Sequence, residues 1–245
     1  MPRRSIGNHT IATEATDSEL RSERQPPRKP MMTEFPETLD KPVTGRRSDP
    51  SMGSVAFVRR WDMPNPDTFS IPSIEGFVKK YLLRSKCSID PFARNKRWAT
   101  HTNDLNPDTA AEHHMDSLDF LTMLKEKGVR PDLVIFDPPY NPTQAKECYE
   151  QLGMNLPARV GRAAGVWAHE KNVVKEMMAD NGVFLWFGWN SCGMAEARGF
   201  VIEEIMLVAH GRGHHDTICM AERRRIPEPS LWTPNVQAQA RPDER

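Results

Sequence analysis

From about residue 54 to residue 225 the chain alternates short unbroken apolar runs with stretches whose apolar residues recur at helical spacing. Ile74, Phe77, Val78, Tyr81 and Leu82 fall at i, i+3, i+4, i+7 and i+8, which predicts a helix with Pro72 in its first turn. Ser88-Ile89 predicts a short strand running into Asp90-Pro91-Phe92. Thr100 to Asp104 predicts a second strand, closed by Asn106-Pro107, and Glu112 to Met115 a weak third. Asp116 then opens a helix carrying Leu118, Leu121 and Leu124. Leu133 to Phe136 is a continuous apolar run of the kind that forms a strand buried on both faces. Val173, Val174, Met177 and Met178 mark another helix, stopped by Asn181-Gly182. Val183 to Phe187 predicts a fifth strand, and Val201 to Val208 and Thr217 to Glu222 two more, joined through Gly211 and Gly213. Strand and helix alternate, with two strands close together at the end. This order predicts an α/β fold: a mostly parallel seven-stranded sheet, helices on both faces and one antiparallel edge strand.

The flanks differ in composition. Residues 1 to 53 are rich in Pro, Ser, Thr, Arg and Glu and poor in large apolar side chains, which predicts a disordered tail. It reads as an inert tail ahead of a basic arm, because its charges of both signs are interspersed. Residues 226 to 245 read as a second flexible tail, leaving 54 to 225 as the folded domain.

Formal net charge is zero, so no global field draws the chain to nucleic acid, and any such contact must be local. Cys87, Cys148, Cys192 and Cys219 form no C-x-x-C pair, which argues against a structural zinc site or a disulfide framework. No apolar stretch is long enough to span a bilayer, and the N-terminus lacks a secretory apolar region. A cytoplasmic protein is the expectation.

The richest stretch chemically is Asp137-Pro138-Pro139-Tyr140, directly after the apolar run Leu133 to Phe136. In open α/β sheets, ligands bind beyond the C-terminal ends of strands. The carboxylate of Asp137 and the carbonyl of Pro138, aimed by the fixed φ of the prolines, are acceptors for the two N–H groups of an exocyclic amine. Tyr140 offers a stacking face for a base taken out of a duplex. A plain Asp-Pro turn is the bland alternative.

Asp90-Pro91-Phe92-Ala93, after the first strand, is the candidate cofactor loop, and the face of Phe92 can attract a cation. Asp104 ends the second strand, where an acid holds ribose hydroxyls, or else begins the Asn106-Pro107 turn. Asp116 either accepts from an adenine amino group or serves as a helix N-cap. The histidines at His113-His114 and at His210, His214 and His215 match no strong zinc spacing and predict polar loops, with Arg212-Gly213-His214 able to touch phosphate. Trp186, Phe187 and Trp189 read as core or site wall, and Gly188 to Ser191 should lie beside Asp137.

Together these segments resemble the DNA amino-methyltransferases that use S-adenosylmethionine, in particular small adenine-type enzymes of phages and prophages. The matching residues are Ser88 to Ala93, Thr102 to Pro107, His114 to Leu121, Phe136 to Tyr140, Phe187 to Ser191, and Leu207 to Gly211 through His215 to Thr217. The resemblance covers about residues 55 to 225. It implies a Rossmann-like methyltransferase fold, S-adenosylmethionine as cofactor, double-stranded adenine-containing DNA as partner and methyl transfer to N6 of adenine. It also implies catalysis by Asp137, Pro138, Pro139 and Tyr140, with the cofactor held by Asp90, Pro91, Phe92, Ala93, Asp104 and Asp116.

One departure stands out. Where the family usually has glycine after the Phe-Ala pair, this chain has Arg94. If that position needs φ > 0, an Arg costs about 1–2 kcal/mol and crowds the cofactor. The stretch from Asn141 to Glu170 is too short for a separate target-recognition domain. Lys146, Arg159, Arg162 and Lys171 in or beside it are candidates for backbone contact or simply a solvated surface. Two other readings remain: methylation of a guanine amino group in ribosomal RNA, and a catalytically silent nucleic-acid- or cofactor-binding module.

Overall fold

The computed structural model describes residues 54–160, 167–211 and 213–225. The readings made for residues 1–53 and 226–245, and for Arg162 and Arg212, lie outside them.

The buried apolar runs pair into one sheet. Its strands are β1 (Ala56–Trp61), β2 (Ser88–Asp90), β3 (His101–Asp104), β4 (His113–His114), β5 (Leu133–Phe136), β6 (Val183–Gly188), β7 (Phe200–Ala209) and β8 (Thr217–Arg224). Their spatial order is β1-β7-β8-β6-β5-β2-β3-β4. All neighbours are parallel except β8, which is antiparallel to both β6 and β7. This is the expected Rossmann-like α/β arrangement, with two corrections. The sheet has eight strands rather than seven, and the antiparallel strand lies inside the sheet, not at its edge.

The extra strand is β1, which pairs in parallel with β7 from Ala56↔Glu204 to Trp61↔Ala209. Five of its six residues are exposed, so it lacks the apolar signature of a buried strand. Arg59 and Arg60 sit on this outermost strand, as charges commonly do where a sheet edge must not attract another chain.

The two faces of the sheet are covered by different helices, and strand alternation sorts the side chains between them. Leu133, Ile135, Val183, Leu185 and Phe187 pack with Ile74, Phe77, Val78 and Tyr81 of helix α1 (Pro72–Leu82). Val134, Phe136, Phe184 and Trp186 pack with Phe120, Leu121 and Leu124 of α2 (Ser117–Glu126), and with Val174 and Met177 of α4 (Ala168–Met177). Asp116 caps α2 by accepting from the Leu118 N–H at 2.8 Å. Asn181 adopts φ 61 just after α4, as expected of a stop signal. Helix α3 (Pro142–Glu150) buries only Ala145 and Tyr149 and has no apolar stripe to betray it in sequence.

From β2 the chain builds outward through β3 and β4, then returns to the other side of β2 to lay down β5 and β6. The reversal therefore falls between β2 and β5, and it leaves a crevice beyond their C-terminal ends. Asn103, fully buried in β3, fixes one wall of it. Its amide nitrogen donates to the carbonyls of Pro91 (3.1 Å) and Met115 (3.0 Å), and its Oδ1 accepts from the Met115 N–H (3.1 Å). One side chain thus ties the loop after β2 to the loop after β4. Asn103→Ala should lower stability by about 2–4 kcal/mol, because it strands three backbone partners, the Pro91 carbonyl among them buried. Urea unfolding would show this as a lower midpoint at unchanged slope; a midpoint within a few tenths of a kcal/mol of wild type contradicts it.

Candidate active site

A cavity of about 920 Å³ lies at this crevice, lined from both strand ends. Pro91, Phe92, Asn103, Asp104, Met115 and Ser117 wall one half; Asp137, Pro138, Pro139, Tyr140, Trp189 and Thr217 wall the other. Of the residues singled out in sequence, Pro91, Phe92, Asp104 and the whole Asp137–Tyr140 tetrapeptide line this one space. Asp90, Ala93 and Asp116 do not line it.

Asp137 directly follows β5 and is half-buried at the cavity wall. Its Oδ1 accepts from the Tyr140 hydroxyl at 2.9 Å, and that hydroxyl is 3.3 Å from Thr68 Oγ1. Burial pushes the Asp137 carboxyl up to about 6, against the opposing pull of the Tyr140 and Thr68 hydrogen bonds and the nearby Arg94 charge. Burial and the adjacent carboxylate also raise Tyr140, which stays a neutral donor.

The turn after Asp137 is locked locally. Asn141 caps α3 by accepting from the Gln144 N–H (2.9 Å), and Gln144 Oε1 reaches back to the Tyr140 N–H (2.8 Å). Asn-x-x-Gln after the tetrapeptide is a helix-start signature, and it is the signal that could have revealed α3 in sequence.

On the β2 side, Asp90 Oδ1 accepts from the Phe92 N–H at 3.0 Å and shapes the Asp90–Ala93 turn from beneath. Burial raises the Asp90 carboxyl well above its usual range; the Phe92 bond opposes this and the charges of Asp137 and Asp104 reinforce it. Asp104 receives the N–H of Asn106 (2.8 Å) and of Arg94 (3.0 Å) on its two oxygens. Each oxygen keeps a second lone-pair direction for a hydroxyl.

Arg94 adopts φ 49, so the position does demand the left-handed conformation that glycine tolerates best. Its Nη1 donates to the Pro66 carbonyl at 2.6 Å, and both residues line the cavity.

Asp116 is engaged elsewhere. It accepts from the Leu118 N–H and from Arg159 on Oδ1, and from the Tyr149 hydroxyl on Oδ2 at 2.6 Å. Burial opposes its ionisation, but the bonds from Tyr149 and Arg159 outweigh burial and hold the carboxyl below its usual range. Arg159 Nε also donates to buried Glu170 at 3.1 Å. Lys171 is buried as well, its Nζ donating to the Cys192 carbonyl at 2.7 Å. Both basic groups are committed to partners within the fold, and Lys171 is withdrawn from the surface. Lys146 is exposed and pairs with Glu150 at 3.4 Å, one helical turn away.

The base-side rim is aromatic. The Trp189 ring meets Tyr140 edge-on (centroids 5.5 Å, 73°) and lies against His215 at 4.4 Å. Glu222, almost fully buried, grips the loop that carries Trp189 by accepting from the Met194 N–H (2.6 Å) and the Ala195 N–H (2.9 Å). His210 is buried between the Asp62 carbonyl (Nδ1, 2.9 Å) and the Thr217 hydroxyl (Nε2, 2.9 Å). Among the described residues no group of three or more His, Cys, Asp or Glu side chains could hold a metal ion. No described helix is long and apolar enough to cross a membrane.

Thr68, Gln144 and Trp167 carry no sequence mark of a site. Thr68 follows Asn65-Pro66-Asp67, which reads as an ordinary turn, and Trp167 sits among small apolar residues, after Ala163-Ala164-Gly165-Val166, with no motif around it. Only the fold brings them to the cavity.

No family model matches the chain, and no curated protein matches it. Among solved structures it is similar to a protein from Streptococcus mutans described as a SAM-dependent methyltransferase, with 12% identity, TM-score 0.36, and coverage of 60% of this chain and 48% of that one. It is similar to the N-methyltransferase NodS from Bradyrhizobium japonicum WM9, with 11% identity, TM-score 0.37, and coverage of 62% and 97%. It is also similar to TrmN from Thermus thermophilus, with 11% identity, TM-score 0.38, and coverage of 63% and 49%. The chain spans about half the length of the first and the last of these.

The raised Asp137 carboxyl makes a signed prediction. The folded chain binds this proton near pH 6, whereas the unperturbed group does so near 3.8. Between those values the folded state holds more proton, so this group's contribution to stability falls as pH rises, and the cost is fully present above about 6. Asp137→Asn, which keeps an acceptor for Tyr140, should therefore melt a few degrees higher than wild type at about pH 8, with the gap closing toward about pH 4. Thermal melts across that range test it; a gap independent of pH would mean that the carboxyl is not the source.

Proposed function

We propose that the chain transfers the methyl group of S-adenosylmethionine to the exocyclic N6 of adenine in DNA. One observation carries the reading. Asp137 and Pro138, at the end of β5, share a single cavity with Pro91 and Phe92 of the loop after β2 and with Asp104 at the end of β3. The position of the cavity at the reversal of strand order supports a nucleotide-like ligand. Its size, near the top of the range of about 300–1,000 Å³ usual for ligand sites, supports a large ligand. The family resemblance of the segments around that cavity supports adenine and DNA.

The residues fit the cofactor. Asp104 would hold ribose hydroxyls with its remaining lone pairs, and Pro91 and Phe92 would flank the reactive end. Ser117 and Trp167 line the cavity, and the Ser117 Oγ and Trp167 Nε1 are buried with no hydrogen-bond partner among the described residues, so a polar ligand is in keeping with the wall. When bound, S-adenosylmethionine supplies an electrophilic methyl group on a sulfonium.

The chain's own residues do the rest. Asp137 and the Pro138 carbonyl accept the two amino N–H bonds of the target base, which draws the nitrogen lone pair out of the ring and toward the donor. The Tyr140 hydroxyl fixes the rotamer of that carboxylate, so little reorganisation accompanies the transfer. A carboxyl poised near 6 is ionised at neutral pH, and it can take the proton that the methylated nitrogen sheds. Tyr140 and Trp189 give the extruded base aromatic walls.

Incubation with DNA or RNA and labelled S-adenosylmethionine, followed by nucleoside mass spectrometry, should yield N6-methyladenine from DNA. Label in RNA alone, on guanine N2, would replace this reading. Asp137→Ala should lower the rate at least about 1,000-fold while S-adenosylhomocysteine still binds, because the carboxylate is spent on the transition state rather than on the cofactor. Methylation near the wild-type rate in that variant would refute the assignment. In wild type the single-turnover rate should fall as pH drops through about 6, as Asp137 is protonated.

A further inference from the structure

Asp116 stands where the family resemblance puts the acceptor for the cofactor's adenine amino group, yet its Oδ1 accepts from Leu118 and Arg159, its Oδ2 accepts from Tyr149, and the residue does not line the cavity. Its neighbours are differently placed. Ser117, the first residue of α2, is 5% exposed; its Oγ has no partner among the described residues, and the residue lines the cavity. Trp167, just before α4, is 2% exposed; its Nε1 likewise has no partner, and it lines the same cavity.

A buried N–H or O–H without an acceptor costs roughly 1–3 kcal/mol. Two at one wall are far from the usual satisfaction of buried polar atoms. Trp167 also carries backbone strain. Its φ of 62 is left-handed, which is rare for a bulky residue and clusters at functional sites. That conformation sets its ring edge-on to Phe92 of the candidate cofactor loop (5.1 Å, 72°) and near Phe136 (6.4 Å, 78°). The indole is thus fixed on three sides: by backbone, by Phe92 and by Phe136.

We propose that Trp167 Nε1–H and Ser117 Oγ–H are the groups that read the nucleobase of the cofactor, donating to its ring nitrogens, and that Asp116 instead braces the wall through Arg159 and Tyr149. The inference rests on the reading of this cavity as a cofactor site. The indole N–H only donates, so it suits a ring-nitrogen acceptor and not an amino group. Recognition of this kind favours adenine over hypoxanthine at any ring position where the latter carries a proton.

The test is binding rather than turnover. Calorimetry with S-adenosylhomocysteine should show affinity reduced roughly tenfold in Trp167→Phe, which keeps a ring against Phe92 but loses the N–H, and comparably in Ser117→Ala. Because each donor lacks a partner among the described residues, loss of the N–H or O–H should not itself lower the melting temperature of the ligand-free chain; Ser117→Ala reads this directly, whereas Trp167→Phe also removes buried ring volume. Each should shrink the upward shift that S-adenosylhomocysteine produces. Analogues with one ring nitrogen replaced by C–H locate the contact. Wild type should bind one of them roughly tenfold more weakly than S-adenosylhomocysteine, and Trp167→Phe should bind the two alike.

Unchanged affinity in Trp167→Phe and Ser117→Ala overturns the proposal. So does a loss of ligand-free stability in Ser117→Ala matching its loss of affinity, which is the mark of a purely structural role. If wild type itself fails to bind S-adenosylhomocysteine, the cofactor reading falls and this inference with it, an outcome distinct from a wild type that binds and variants that do not differ.

Discussion

Everything at the site follows from a reversal. The chain extends the sheet in one direction from β2 and in the other from β5, so the loops leaving these two neighbours must part. Each strand runs into an acid, proline and an aromatic: Asp90-Pro91-Phe92 on one side, Asp137-Pro138-Pro139-Tyr140 on the other. Proline in each turn fixes φ and stops the strand from continuing, so the carbonyls and rings are delivered to the crevice with little freedom left to lose. Were the strand order not reversed there, the same two segments would be ordinary turns.

Electrostatics divides the cavity into unlike halves. Asp90, deeply buried and pushed toward its neutral form, works as a hydrogen-bonding brace under its turn. Asp137, at the cavity wall and only partly raised, keeps its charge at neutral pH. Both sit in Asp-Pro sequences; burial raises both, but the Tyr140 and Thr68 hydrogen bonds and the Arg94 charge hold Asp137 lower, while neighbouring carboxylates push Asp90 further up. Arg94 lies close enough to Asp137 to favour its ionised form, while its guanidinium reaches across to Pro66. The left-handed backbone at Arg94 is thus occupied by a residue whose side chain joins two cavity walls, which glycine would leave unconnected.

Much of this was legible in the sequence, for physical reasons. Leu133–Phe136 and Val183–Phe187 read as strands because burial on both faces demands unbroken apolar runs. Helix α1 was visible because one face alone is buried, and the Asp137 tetrapeptide because its strand ends abruptly. β1 was not visible: a strand exposed along most of its length has no apolar pattern to show. Helix α3 escaped because capping by Asn141 and Gln144, rather than an apolar stripe, defines it. The role of Asp116 was ambiguous because a cap and a ligand demand the same side chain. Its partners Tyr149 and Arg159 lie 33 and 43 residues away, beyond any local signal. The internal place of β8 is likewise a matter of long-range pairing, which order along the chain does not dictate.

The grip of Glu222 on the loop after β6 has a mechanical consequence. A methyl group added at Gly193 would lie 1.8 Å from the Glu222 carboxylate, so backbone and buried acid are already in close contact there. With Met194 and Ala195 pinned to the same carboxyl group, the segment bearing Trp189 cannot glide over the sheet without stranding a buried acceptor. The Trp189 flank is therefore an anvil. A guest that packs against it meets a wall that does not give.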